Sequence, residues 1–399
     1  MSREFIPVSE AKKLIAETIL PLPPAKVLLI DAAGLILAED IFSISDVPPF
    51  NQSSMDGYAL NFEGWQKNGD LLVDGETQAG ALESHYLNPQ NARRIFTGAA
   101  VPPGADTVVM QEKTSVSNSQ LTISDKTIFK GLNVRLKASE AKAGELALEK
   151  NCCLNPAALG FIAGLGINEV LVYPQPSVTV ILTGNELQKP GVPLEHGQVY
   201  ESNSYALKAV LNQAGISKIN ILSSEDTLET LTAVLNNALQ QSDLVLLTGG
   251  VSVGDYDFVI RAAQANGIEQ IFHKIKQKPG KPIYFGKKGK KYIFGLPGNP
   301  ASVLSCFYEY VYLSIGLLNS SKINLKQLQA PISSAQKKAP GLTHFLKGFY
   351  DGNRVHDLKA QESFRLSSFA RANCLIKLDT DQTEISEGQL VEIHLLPSY

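Results

Sequence analysis

Between Ser177 and about Gly316 the chain alternates short apolar runs with amphipathic stretches, and this alternation restricts the fold more than any other feature. Residues 178–182 precede a helical stretch at 204–214 that stops at Gly215, residues 219–222 precede one at 228–240, and residues 244–247 precede one near 258–265. Apolar runs without polar alternation describe strands buried on both faces, so helices must cover both sides of a mostly parallel sheet. In such sheets ligands bind beyond the carboxyl ends of the strands.

Polar chemistry collects at those ends. The first strand runs into Thr183-Gly184-Asn185-Glu186, the second into Ser224-Glu225-Asp226, and the third into Thr248-Gly249-Gly250-Val251-Ser252-Val253-Gly254-Asp255-Tyr256-Asp257. One acid after a strand is most often a helix cap, and a lone Gly-Gly turn usually only redirects the chain. Three such turns on one edge, followed by Lys278-Pro279-Gly280-Lys281-Pro282 and Gly295-Leu296-Pro297-Gly298-Asn299-Pro300, point instead to a phosphate held with a divalent cation. Glycine lets backbone N–H groups approach an anion, carboxylates supply hard oxygens for Mg²⁺, and lysines hold phosphate oxygens. Neither a P-loop nor a Gly-x-Gly-x-x-Gly fingerprint is present.

A chain of 399 residues exceeds what one core supports, so several domains are expected. Ser9 is placed to cap a first helix, and a second helical stretch is expected over 31–40, ending before Pro48-Pro49. Short β-type runs then follow, split by Gly, Pro and Asn, before Asn155 and Pro156 open another helix. Helical pieces on both sides of this β-rich insert imply a lobe built from two segments. The expected division is 1–45 with 139–170 as a discontinuous N-terminal lobe, 46–138 as an inserted β-rich domain, 171–318 as the α/β domain, and 319–399 as a small β-domain. In the last, Ser367-Ser368-Phe369-Ala370-Arg371-Ala372-Asn373 reads equally as a binding loop or as ordinary surface. A net charge of −3, whose only long basic run is a hairpin-like Lys287-Lys288-Gly289-Lys290-Lys291, does not indicate nucleic acid. No signal pattern and no run of about 18 apolar residues is read, so a cytoplasmic location without membrane attachment is expected. Four cysteines suit free thiols better than a disulfide or zinc framework.

Taken together, Ser54-Met55-Asp56-Gly57-Tyr58-Ala59, Phe96-Thr97-Gly98, Thr183-Gly184-Asn185-Glu186-Leu187, Gly249-Gly250-Val251-Ser252-Val253-Gly254, Lys278-Pro279-Gly280-Lys281-Pro282 and Leu296-Pro297-Gly298-Asn299-Pro300 resemble the molybdopterin molybdenumtransferases, the MoeA proteins and the E domain of gephyrin. The resemblance covers nearly the whole chain. It implies a homodimer of multidomain α/β and β subunits: an elongated N-terminal lobe, the inserted domain, a central MogA-like three-layer α/β domain and a C-terminal small β-barrel. It also implies insertion of molybdate into adenylated molybdopterin with Mg²⁺-assisted release of AMP, the pterin coming from a separate adenylyltransferase partner. By motif, Asp56, Thr97, Glu186, Asp226 and Asp257 would be catalytic, with the last three as Mg²⁺ ligands. Gly249, Gly250, Ser252, Gly254, Lys274, Lys278, Lys281, Pro297, Pro300, Ser368 and Glu140 would bind substrate. Two departures stand out: Ala138-Ser139-Glu140 where the family has Gly-Glu-Asp, and Lys347 where it often has arginine able to hold an oxyanion bidentately. An adenylyltransferase-like enzyme and a pterin-binding paralogue without turnover remain as alternatives.

Overall fold

The structure is a computed structural model that describes residues 3–83, 85–250, 258–321 and 323–397. The chain forms two compact units: one of residues 1–25, 34–36 and 173–399, the other of 26–33 and 37–172.

The first unit is built on a seven-stranded sheet. Its strands are β1 (Arg3–Ile6), β2 (Val178–Thr183), β3 (Ile219–Ser224), β4 (Leu244–Thr248), β5 (Glu269–Ile275), β6 (Tyr284–Lys288) and β7 (Lys291–Leu296), in the order β1-β5-β6-β7-β4-β2-β3. Pairing is parallel throughout except where β6 runs against β5 and β7. Every residue of β2 and β4 is buried, as two-sided burial requires. Helices α1 (Val8–Thr18), α2 (Asn203–Gln213), α3 (Leu228–Gln241) and α4 (Phe258–Ala265) pack with α5 (Pro300–Leu318) around two apolar clusters. By length and composition α5 is apolar enough to cross a membrane, which the sequence reading overlooked; 83% of it lies buried inside the fold, so it serves as a core helix.

A π-type turn interrupts α5 at Phe307–Val311 and carries Glu309 inward, fully buried. Its carboxylate accepts from Lys12 Nζ of α1 at 2.5 Å and pairs with His394 Nδ1 at 2.6 Å. Burial pushes the Glu309 carboxyl up, but Lys12 and His394 outweigh it and hold the group below its ordinary range. One buried charge thus joins the first helix, the core helix and the last strand.

That last strand, Leu390–Leu395, belongs to a six-stranded sheet with Gln277–Lys278, Thr343–Tyr350, Val355–Asp357, Cys374–Leu378 and Lys326–Pro331. An Ile332–Val355 bridge closes the ring from Lys326–Pro331 back to Thr343–Tyr350, so this part is a small barrel filled by Val355, Ile376 and Ile393.

In the second unit, residues 57–123 make a six-stranded sheet, and Asn61 caps the helix Phe62–Asn68 by accepting from Gly64 N at 2.8 Å. Strands Gln52–Ser53 and Ile41–Phe42 pair antiparallel with Val134–Arg135 and Leu146–Leu148, so the chain leaves and returns along one path.

Three local expectations differ from what is found. Residues 1–25 run with the central sheet, because β1 pairs with β5 across more than 250 residues of chain. Helix α1 starts at Val8 with Pro7 at its N-cap, so Ser9 caps nothing. Residues 31–40 are not helical: a 3-10 turn, Leu29–Asp31, gives way through Gly34 at φ 75 to the strand Ile36–Leu37.

Candidate active site

Strand register levels the carboxyl ends of the sheet. Thr183 lies opposite Ser224, Leu182 opposite Thr248, and Thr248 opposite Leu296, so four strands finish on one line. After β2 the chain moves to β3 on one side and then returns to β4 on the other. The crevice between β2 and β4 is therefore a topological switch point, where loops diverge and leave room for a ligand.

Each turn at this crevice has a physical reason for its residues. Gly249 sits at φ 86, and a Cβ there would meet Thr183 O at 2.6 Å and Thr183 Oγ1 at 2.9 Å, so only glycine lets the third turn cross the first. At Gly184 a Cβ would lie 2.8 Å from Glu186 Oε2, because the Glu186 carboxylate folds back over the turn. Asp226 N donates to Asn185 Oδ1 at 3.2 Å, which ties the turn after β3 to the turn after β2. The two acids thus share one cleft. Among the described residues Asp226 Oδ1 is buried without a hydrogen-bond partner, as is Asn203 Oδ1 on the same cleft.

The opposite wall comes from the loop between β5 and β6. Gln277 Nε2 donates to Pro279 O at 2.9 Å, and a Cβ on Gly280 would lie 2.4 Å from Cys306 Sγ, so the loop packs tightly on α5. Lys278 and Lys281 stay exposed on this wall. Pro297 and Pro300 complete it, with Asn203 Nδ2 donating to Gly298 O at 2.9 Å and Asn299 Nδ2 to Ser363 Oγ at 2.9 Å. The cleft encloses about 930 Å³. Its lining brings the Glu186 and Asp226 carboxylates together with the Lys278 and Lys281 ammonium groups, a set suited to a phosphate-bearing ligand.

The structure therefore brings together Glu186, Asp226, Gly249, Gly250, Lys278, Lys281, Pro297 and Pro300. Ser252, Gly254 and Asp257 lie outside the described residues, and among those described no three His, Cys, Asp or Glu side chains group closely enough to hold a metal. Lys274 is placed differently from expectation: it sits within β5 at φ 62, its N–H donating to Ile283 O at 2.9 Å, and does not line the cleft. Ser368 is also redirected. It is fully buried, its hydroxyl 2.9 Å from Ala360 O and 3.4 Å from Arg365 O, so it holds a loop together rather than facing a ligand.

Lys347, 3% exposed, binds the same loop: its Nζ donates to Ala360 O at 2.8 Å, Arg365 O at 3.1 Å and Glu362 O at 3.2 Å. Burial, with help from Arg365, lowers its pKa against the pull of Glu362 and Asp357. This loop presents Gln361, Ser363 and Phe364 to the cleft. Sequence reasoning missed Asn203, Gln361 and Ser363, because a lone amide or hydroxyl in a polar loop carries no pattern.

Asp56, Thr97 and Glu140 belong to the second unit. Asp56 Oδ1 accepts from both Thr97 N and Thr97 Oγ1 at 2.8 Å, and these hydrogen bonds hold its carboxyl below the ordinary range. Glu140 is exposed, its N–H donating to Val47 O at 2.9 Å, and Ala138 before it adopts the left-handed φ of 61.

Comparison with known proteins covers nearly the full length. Residues 6–166 match the MoeA N-terminal region (domain I and II), 179–315 the probable molybdopterin binding domain, and 329–396 the MoeA C-terminal region (domain IV). A molybdopterin molybdenumtransferase of Haemophilus influenzae is 37% identical over 378 residues, 92% of this chain and 93% of the relative. One from Nostoc is 34% identical over 383 residues, 92% of this chain and 87% of the relative. The crystal structure of a molybdopterin biosynthesis MoeA protein from Pyrococcus horikosii superposes with a TM-score of 0.84 at 29% identity, covering 99% of this chain and all of that one. Nothing in these matches favours the adenylyltransferase-like or turnover-deficient alternatives.

Proposed function

This chain belongs to the molybdopterin molybdenumtransferase family, enzymes of molybdenum cofactor biosynthesis, and from that premise we propose that its switch-point cleft binds adenylated molybdopterin and exchanges AMP for molybdate. The observation that carries the reading is the meeting of Glu186 and Asp226 with the Lys278 and Lys281 wall in one cleft of about 930 Å³.

The residues fit a Mg²⁺ ion. Asp226 presents a buried oxygen without a partner among the described residues, and Mg²⁺ takes one or two carboxylates while sharing its other positions with water and substrate phosphate. Asp226 and Glu186 would hold it, with Asp257 as a third donor, and it would neutralise charge on the phosphoanhydride. Lys278 and Lys281 bind the oxyanions as point charges, and the backbone at Gly249 and Gly250 lets the ligand approach closely. Asn203 and Ser363 orient the ligand across the cleft. No covalent nucleophile is required, since positioning and charge neutralisation account for the exchange.

The same reading keeps an inserted domain at 46–138, the α/β domain at 171–318 with residues 1–25 joined to its sheet, and a last domain at 319–399, and makes the enzyme a homodimer in which Asp56, Thr97 and Glu140 serve the cleft of a second copy. Exposed Ile30, Phe42, Ile44, Phe50 and Leu136 on the second unit support self-association. Four free cysteines support a reducing, cytoplasmic setting, with a separate adenylyltransferase delivering the pterin.

The test is AMP release by the purified protein given adenylated molybdopterin, with molybdate and Mg²⁺ supplied or withheld, beside Asp226→Asn. Release that requires both and is lost in the variant is expected. Tight pterin binding with no release under any condition overturns the reading.

A further inference from the structure

We propose that Phe5 is a positioning residue for the cleft: its ring holds the Lys281 side chain at the rim, with Lys276 on the same ring, so that Lys281 is set in place before substrate arrives. The inference rests on the preceding reading that Lys281 meets the substrate's anionic groups.

The ladder between β1 and β5 is regular at Arg3↔Phe272 and Glu4↔His273 and resumes at Ile6↔Ile275. At the level between, both strands turn left-handed, Phe5 at φ 56 and Lys274 at φ 62. A bulky side chain rarely adopts this conformation, and residues held in it gather at functional sites. Core packing does not explain Phe5, which is 40% exposed. What its kink achieves is a position: the ring centroid lies 5.5 Å from Lys276 Nζ and 5.4 Å from Lys281 Nζ. Both distances fall within cation–π range, where the negative ring face attracts an ammonium group.

The backbone here is already fixed. Lys276 N donates to Ile6 O at 2.8 Å, and Lys281 O accepts from Ile275 N and Ile283 N, each at 3.0 Å. The freedom that remains lies in the long lysine side chains, and neither lysine forms an ion pair among the described residues. A ring contact restricts Lys281 without neutralising it, whereas a carboxylate would compete with the substrate. The side chain's ordering is then complete before binding, which is how preorganisation raises affinity.

The experiment compares Phe5→Leu, which keeps apolar bulk without the ring, with Phe5→Tyr, which keeps the ring. Phe5→Leu is expected to raise KM for adenylated molybdopterin roughly two- to five-fold with kcat held, and Phe5→Tyr to restore it. In protein carrying ¹³C-lysine, the Lys281 ε-CH₂ resonance, assigned by its loss in Lys281→Arg, is expected upfield in wild type and Phe5→Tyr and at the free-lysine position in Phe5→Leu. A wild-type resonance at the free-lysine position overturns the proposal even if Phe5→Leu fails to fold. Lys281→Gln separates the two failures. If it leaves KM unchanged, the cleft reading itself fails; if it raises KM while Phe5→Leu does not, only the role of Phe5 fails.

Discussion

Replacing Lys347 by methionine is expected to loosen one wall of the cleft rather than delete an anion contact. The Lys347 ammonium donates to the carbonyls of Ala360, Glu362 and Arg365 between 2.8 and 3.2 Å, and the residue is only 3% exposed. A buried carbonyl left without its donor costs about 1–3 kcal/mol. Three of them sum to more, but methionine avoids burying a charge, and water can reach the opened loop. A net loss of about 3 kcal/mol follows, which for a unit of this size lowers Tm by roughly 6–12 °C. Because the same loop carries Gln361, Ser363 and Phe364 into the cleft, KM for the adenylated pterin rises as well. The assay is a thermal melt with steady-state kinetics over a salt series. An unchanged Tm, with weaker molybdate dependence and a shallower salt response, would make Lys347 an oxyanion ligand and refute the argument.

Gly249→Ala places a methyl 2.6 Å from Thr183 O at φ 86, so a stability loss of about 2–4 kcal/mol and a collapse of kcat/KM are expected from melting and turnover assays. Glu309→Gln leaves Lys12 and His394 without their shared anion, and a loss of about 3–5 kcal/mol is expected by denaturant titration. The folded pKa of Glu309 lies below its ordinary 4.5, so this carboxylate's contribution is complete above that value and fades as pH falls through the folded one. The variant's stability profile is therefore expected to be flatter on the acid side, and an identical acid slope would count against the pairing. Ala138→Gly relieves a left-handed alanine and is expected to stabilise the second unit by about 1 kcal/mol, read as a higher melting transition.

The central sheet was legible because residues 178–182 and 244–247 are apolar apart from Thr179, and only strands covered on both faces tolerate that. The Asn155-Pro156 start was legible because capping is local: Asn155 accepts from Ala158 N at 2.9 Å. Strand β1 was not, since its partner lies more than 250 residues away and four residues carry no period. That Glu186, Asp226, Lys278 and Lys281 line one cleft could be anticipated because charged residues at strand ends and glycine turns form a pattern. The backbone contacts of Ser368 and Lys347 were not legible, because a hydroxyl or ammonium that serves backbone carbonyls looks, in sequence, the same as one that serves a ligand.

The level carboxyl ends of β2, β3, β4 and β7 also bear on how such an enzyme diverges. A strand advances about 3.3 Å per residue and alternates faces, so inserting one residue within β2 or β4 would displace its turn and invert its side chains. Loops beyond Thr183, Ser224, Thr248 and Leu296 carry no such constraint. Insertions and deletions are therefore expected to be tolerated in those loops, and it is there that preference for one oxyanion over another can be rewritten without disturbing the sheet.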